Sequence, residues 1–417
     1  MPPLPSVLRA TITRKAAARS WKSASLSSKG SNQSVIRRVI TSPFATRLAA
    51  AALLAAPLCA LPAHAQPADT ATRQALQSAC FSHEALKAVA GEEVTQKGDR
   101  RFSAPPARTP LVGNEPVAPN LRGSIRRVDL PAGLKLVALT FDLCELSHEV
   151  AGYEGRIIDT LRQENVKATL FAGGKWMRSH MARTQQLMTD PLFEIANHSE
   201  AHRNLRLLSG DALADEILGP ERAWQDIRTN LSQNQCLSKF PDAMQSIPPR
   251  LRMFRFPYGA CNPQALNAVN DAGLLAIQWD VSTGDPSPGT SAEAIVRTAV
   301  KRVKPGSILI GHANGRGWHT PDALPLVIAA LKKEGYGFVT VSELLAAGKP
   351  VIVDTCYDNR PGDSDHYDHF TSLLAGNSKT QEGPAGSAAS SWGTMTVKPA
   401  RKGTRNYVAP PASQKPN

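Results

Sequence analysis

The chain has 417 residues, of which 20% are charged and 42% hydrophobic, with six cysteines and a formal net charge of +13. That length exceeds one small core and suits a large catalytic domain with extensions. The charge does not describe a nucleic-acid-binding surface: nine Lys/Arg and no acid lie in residues 1–65, six basic residues and one acid lie from Lys379 onward, and residues 66–378 are close to neutral.

In chain order, residues 1–65 read as a signal peptide with a long basic n-region. Arg47 precedes an Ala/Leu run that ends in Ala63-His64-Ala65, a small-x-small cleavage pattern. The run is short and broken by Pro57, which argues against a stable membrane anchor. The expectation is an exported protein, periplasmic or secreted. Residues 66–125 read as an extension, with one amphipathic helix over Thr72–Val89 and a Pro-rich linker over Ala104–Asn120. From Lys135 the patterning alternates. Strands are predicted over 135–142, 167–172, 193–197, 252–256, 274–281, 307–312 and 337–342. Helices are predicted over 153–164, 175–188, 211–229, 262–272, 291–303, 321–334 and 342–346. Such alternation implies parallel strands joined by crossover helices, and about seven repeats suit a barrel. Residues 231–250 read as a loop insertion carrying Cys236. The pattern fades after Gly348; 351–417 reads as a C-terminal extension, disordered by composition from about residue 375.

Polar clusters sit at the predicted C-terminal ends of the strands. His198 and His202, in Asn197-His198-Ser199-Glu200-Ala201-His202, are four apart and can place two imidazoles on one side of a turn for one divalent metal. Thr140-Phe141-Asp142-Leu143-Cys144-Glu145, Arg255-Phe256-Pro257-Tyr258-Gly259, Trp279 to Asp285, and Leu309-Ile310-Gly311-His312 follow the same rule. In parallel α/β folds and barrels, ligands bind at the strand C-termini.

In these five ordered motifs, over about residues 126–346, the chain resembles the polysaccharide deacetylases of the NodB-homology family. Thr140-Phe141-Asp142 is similar to the TFDD motif, and His198 to His202 matches H-[ST]-x-x-H. Arg255 to Gly259 matches R-x-P-Y-G, and Leu309 to His312 matches L-x-H. Trp279 to Asp285 matches the W…DxxDW motif in part, with Ser282 and Pro286 as substitutions. The resemblance implies a distorted (β/α)7 barrel over 126–350 and hydrolytic removal of acetyl groups from an acetylated glycan. It implies a divalent metal, zinc being the first choice, held by His198 and His202. It casts Asp142 as general base, His312 as general acid, Asp285 as the partner that tunes His312, and Arg255 as a bidentate partner orienting Asp142. The Tyr258 N–H would support the oxyanion, and Trp279 and Trp318 would line sugar subsites, although Trp279 could equally be core.

One position departs from the family. The second Asp of TFDD, a metal ligand, is Leu143 here, and leucine cannot coordinate. Glu145 is the preferred replacement, with Asp142 itself, a Cys144 thiolate, or a weak or absent metal as alternatives. In an oxidising compartment five cysteines remain after cleavage, an odd number. Cys144 and Cys261 each follow a motif, and a bond between them is the first choice of pairing; it would exclude Cys144 as a ligand. The competing function is a glycan-binding pseudoenzyme on the same barrel.

Overall fold

The structure, a computed structural model, describes residues 67–111, 115–240 and 242–369; the expected signal segment and the expected disordered tail lie outside the described residues. The chain opens with helices α1 (Pro67–Cys80) and α2 (His83–Leu86) and strand β1 (Gln96–Lys97). There follow β2 (Ser124–Asp129), β3 (Leu136–Leu143), β4 (Glu149–Val150), α3 (Gly155–Gln163), β5 (Ala168–Ala172), α4 (Gly174–Ser179), α5 (Met181–Thr189) and β6 (Phe193–Asn197). Next come α6 (Gly210–Ser232), β7 (Met253–Phe254), α7 (Pro263–Asp271), β8 (Leu275–Ile277), β9 (Val281–Ser282) and α8 (Ala292–Arg302). The described chain ends with β10 (Ile308–His312), α9 (Thr320–Lys333), β11 (Gly337–Phe338), α10 (Val341–Ala347) and β12 (Lys349–Val353). Among the described residues no helix is long and apolar enough to cross a membrane.

The main sheet runs β12-β2-β8-β7-β6-β5-β3-β10-β9. From β2 to β10 every neighbouring pair is parallel. A single bridge between Arg127 and Ser307, with Val128 N–H donating to Gly306 O at 2.9 Å, brings β2 against the chain entering β10. The seven parallel strands β2, β8, β7, β6, β5, β3 and β10 therefore curl into a distorted (β/α) barrel, joined at one seam by that bridge instead of a full ladder.

The seventh strand is not the one expected. Residues 337–342 contribute only a two-residue pairing with the start of β3. The place is taken by β2, whose Ser-Ile-Arg-Arg-Val-Asp sequence conceals its burial. Arg126 is buried because its guanidinium donates to Tyr357 O and Asp358 O and lies 3.7 Å from the Tyr357 ring. Both contacts come from the segment after Gly348, where the pattern was expected to fade. There β12 pairs antiparallel with β2 and covers its edge.

Two further expectations are corrected. The extension helix ends at Cys80, because Ser82 caps a new turn by accepting from Ala85 N–H at 3.1 Å. The predicted Cys144–Cys261 bond is not formed; among the described residues the disulfides are Cys80–Cys236 and Cys261–Cys356, and Cys144 is free and buried. The β12–β2 pairing is what carries Cys356 to Cys261, with Cα atoms 5.3 Å apart.

Strand β3 shows how the layers form. Val137, Leu139, Phe141 and Leu143 pack outward with Trp176, Met177, Ile157 and Leu161 of the helical layer. Ala138 belongs to the opposite face, with Phe171, Ala196, Ile277, Trp279 and Ile308. Alternation along a strand puts Thr140 and Asp142 on that same inner face.

Candidate active site

Asp142 is the last inward residue of β3 and is buried, as are His198 and Arg255 beside it. Arg255, fully buried after β7, donates from Nη1 to Asp142 Oδ1 at 2.8 Å. The contact is one hydrogen bond, not the expected fork; the rest of the guanidinium faces Ile277 O and Gln278 O and stacks 3.8 Å from the Phe171 ring. Burial by itself would raise the Asp142 carboxyl, but the His198, Arg255 and His312 charges outweigh it and hold the group below the ordinary carboxylate value. Asp142 is thus kept ionised.

The loop after β6 carries the two histidines. Asn197 Oδ1 accepts from Ser199 N–H at 2.9 Å, and Ser199 Oγ accepts from His202 N–H at 3.1 Å. Ser199 and His202 both take positive φ, 63° and 54°, a conformation that costs energy and persists only where the surroundings impose it. Glu216 of α6 imposes it, accepting from Ala201 N–H at 3.0 Å through its side chain and from Glu200 N–H at 3.0 Å through its carbonyl.

His198 Nδ1 lies 2.9 Å from Arg255 O. A carbonyl can only accept, so Nδ1 carries the proton and Nε2 presents a lone pair. That Nε2 is buried with no hydrogen-bond partner and faces Asp142 Oδ2 at 3.3 Å. Burial lowers the pKa of His198 and, well below the ordinary value, of His202, which favours the neutral form that can donate to a metal. Donor atoms of Cys144, His198 and His202 all lie within 4.8 Å of one another. An orphaned imidazole nitrogen beside a second imidazole and a sulfur suits a divalent metal of the zinc type. Burial pushes the Cys144 thiol up to about 12, and a coordinated cation would override that by deprotonating it.

On the other side of Asp142 stands His312, partly exposed at the end of β10. Asp285, buried on the loop after β9, lies 3.0 Å from His312 Nδ1 and accepts from its backbone N–H at 2.7 Å. Thr320 donates to the same carboxylate at 2.9 Å. Burial works to lower the His312 pKa, but the Asp285 charge and hydrogen bond, with Asp142, raise it above the ordinary value.

The structure brings Asp142, His198, His202, Arg255, His312 and Asp285 together and leaves others out. Glu145, expected as the third ligand, is corrected: one oxygen is ion-paired with the buried Lys175, and the other accepts from Ala151 N–H at 3.1 Å and Ser179 Oγ at 2.7 Å. Its carboxylate is consumed in tying β3 to α4. Trp279 is corrected too. It is 5% exposed, donates from Nε1 to Asp358 at 2.9 Å and packs 5.4 Å from Arg255, so it is core and not a subsite wall. Trp318 is exposed on the loop between β10 and α9. Tyr258 has φ 62° and its ring sits 4.5 Å from that of His202.

Three contributors were not anticipated. Asn314 donates to Cys144 Sγ at 3.1 Å and to Cys144 O at 2.8 Å. Arg316 is ion-paired with Glu149. Tyr367 stacks on Tyr258 at 4.7 Å. Asn314 lies two residues past the His312 motif, and that proximity was the one available signal. Tyr367 had none, since nothing in its sequence context relates it to the barrel.

A polysaccharide deacetylase family model matches residues 130–277. A peptidoglycan-N-acetylglucosamine deacetylase of Bacillus cereus is 30% identical over 223 residues, covering 52% of this chain and 91% of that protein. A chitooligosaccharide deacetylase of Azorhizobium caulinodans is 26% identical over 192 residues, covering 43% and 82%. Among solved structures, a peptidoglycan N-acetylglucosamine deacetylase superposes with a TM-score of 0.44 at 24% identity, over 54% of this chain and 92% of that one. A Bacillus anthracis protein described as a CE4 family pseudoenzyme gives 0.43 at 24%, over 54% and 69%. The chain belongs to the polysaccharide deacetylase family.

Proposed function

We propose that the chain is an exported, metal-dependent hydrolase that removes acetyl groups from an N-acetylated polysaccharide or oligosaccharide. The observation that carries this reading is the buried His198 Nε2, without a hydrogen-bond partner, set between His202 and an Asp142 that Arg255 keeps ionised. Amide hydrolysis needs an activated nucleophile, a polarised carbonyl and a proton for the leaving amine. His198 and His202 would hold the ion, and zinc suits these donors. When bound, such an ion acts as a Lewis acid on the acetyl carbonyl and acidifies a water.

The residues of the chain do the rest. Asp142, ionised and oriented by Arg255, takes the proton from the attacking water. His312, its Nδ1 paired with Asp285, holds a proton on Nε2 for the departing amine. The Tyr258 N–H, on a strained turn beside His202, would donate to the developing oxyanion. Export is supported by two disulfides, which persist in oxidising compartments.

The test is acetate release by the full chain from chitin oligomers, peptidoglycan, exopolysaccharide and O-acetylated glycans, with bound metal measured on the same sample. Acetate released from an N-acetylated glycan, and abolished by chelation, is expected. The second reading, a glycan-binding pseudoenzyme, is favoured by Leu143 at the position of a metal-ligating carboxylate. Saturable glycan binding without acetate release from any substrate would carry it instead.

A further inference from the structure

We infer that Cys144 has taken over the third ligand position, so that the chain holds its divalent cation through one thiolate and two imidazoles. This rests on the two-histidine metal reading above and deepens it. Leu143 belongs to the outward series 137, 139, 141, 143 and is spent in the helical layer against Trp176 and Met177. Cys144, buried, is the first residue after the strand. Its sulfur comes within 4.8 Å of donor atoms of both His198 and His202.

Two independent observations point to a ligand there. His198 Nε2 is buried without a hydrogen-bond partner, 3.3 Å from Asp142 Oδ2, and His198 belongs to the same close group of donors. Asn314, itself fully buried, donates one hydrogen bond to Cys144 Sγ at 3.1 Å and another to its carbonyl at 2.8 Å. That pair fixes the sulfur on the site side and stabilises negative charge on it, as partners of metal ligands do.

The competing donors are accounted for. Glu145 is bound by Lys175, Ser179 and the Ala151 N–H. Asp142 gives Oδ1 to Arg255, and although its Oδ2 lies 3.3 Å from His198 Nε2, it falls outside the group of mutually close donors. Cys261 is paired with Cys356, which leaves Cys144 free. Replacing a hard carboxylate by a soft thiolate moves preference toward zinc, cobalt and cadmium and away from magnesium and manganese.

The test is spectroscopic, on the full chain, freed of metal and titrated with Co(II). Wild type is expected to bind one Co(II) with an intense near-ultraviolet thiolate-to-cobalt charge-transfer band. Cys144→Asp and Cys144→Ser should lose that band while visible ligand-field bands report cobalt still bound. Zinc-edge X-ray absorption of the unmutated protein gives the same answer without relying on a variant that folds: one Zn–S distance near about 2.3 Å is expected. Cobalt bound with ligand-field bands but no charge-transfer band, or zinc with only N/O neighbours, overturns the Cys144 assignment and leaves the histidine reading standing. Failure of wild type to take up either ion overturns both.

Discussion

Arg255 holds two parts of the site at once. Its guanidinium orients Asp142, and its carbonyl fixes the tautomer of His198. Asp142 and His312 then stand on opposite sides, the carboxyl held below its ordinary pKa and the imidazole raised above its own. Asp142→Asn and His312→Ala should each lower kcat by roughly 10²–10⁴-fold with little change in KM, measured by acetate release, because each removes a proton transfer. A variant within threefold of wild type would remove its residue from the mechanism. The pH profile has a definite sign. His312 must be protonated to act as acid, and Asp285 raises its pKa, so activity falls as pH rises through that raised value. Asp285→Asn removes the charge, lowers the His312 pKa and should move the alkaline limb of kcat/KM to lower pH. Glu145→Gln should leave metal content unchanged yet cost roughly 3–5 kcal/mol in denaturant unfolding, since it strands the buried Lys175 ammonium. Loss of metal without loss of stability would return Glu145 to the ligand set.

At the level of elements, the loop carrying His198 and His202 is held by helices more than by its own strand. Glu200 sits between α4 and α6, ion-paired with Arg178, and a Cβ on Gly174 would come within 1.9 Å of its carboxylate. Glycine there lets α4 approach the loop that carries His198 and His202. On the far side, the Cys261–Cys356 disulfide anchors the chain that places Tyr367 on Tyr258. Arg206 adds ion pairs to Asp365 and Asp368, at 2.7 and 2.8 Å. The bond closes a span of 95 residues. A Cys261→Ser, Cys356→Ser double variant should lose roughly 2–5 kcal/mol of stability. It should also raise KM for long glycans, as the segment over Tyr258 loosens. A thermal midpoint equal to that of wild type would show the bond to be dispensable.

For the whole molecule, the decisive arrangement is the seam. Strand β2 completes the parallel series, and β12 covers its outer edge. Truncation after Gly348 should therefore expose that edge, release Arg126 from Tyr357 and Asp358 and leave Cys261 unpaired. The expected outcome is a lower melting temperature and concentration-dependent aggregation, read by scattering, as for any uncovered strand edge. A truncated protein that melts and sediments like the full chain would mean that 349–369 only decorates the barrel.

The strands of the barrel other than β2, its helices and the inner ring of Asp142, His198, His202, Arg255 and His312 were legible in the sequence by itself. Each is a local pattern: an apolar run of strand length followed at once by polar residues, between helical stretches. Asp285 was legible only through its spacing from Trp279, and the structure joins it to His312. The rest depended on contacts between residues far apart in the chain. Strand β2 was hidden because two arginines break its alternation, and a segment more than 200 residues away satisfies Arg126. Cys144 and Glu145 are adjacent in sequence and chemically plausible as ligands alike. Only the tertiary structure separates them, by giving Glu145 the ammonium of Lys175 and Cys144 the two imidazoles. Disulfide pairing was decided in the same way, because it depends on which loops the closed barrel brings within about 6 Å, a distance that linear spacing does not encode.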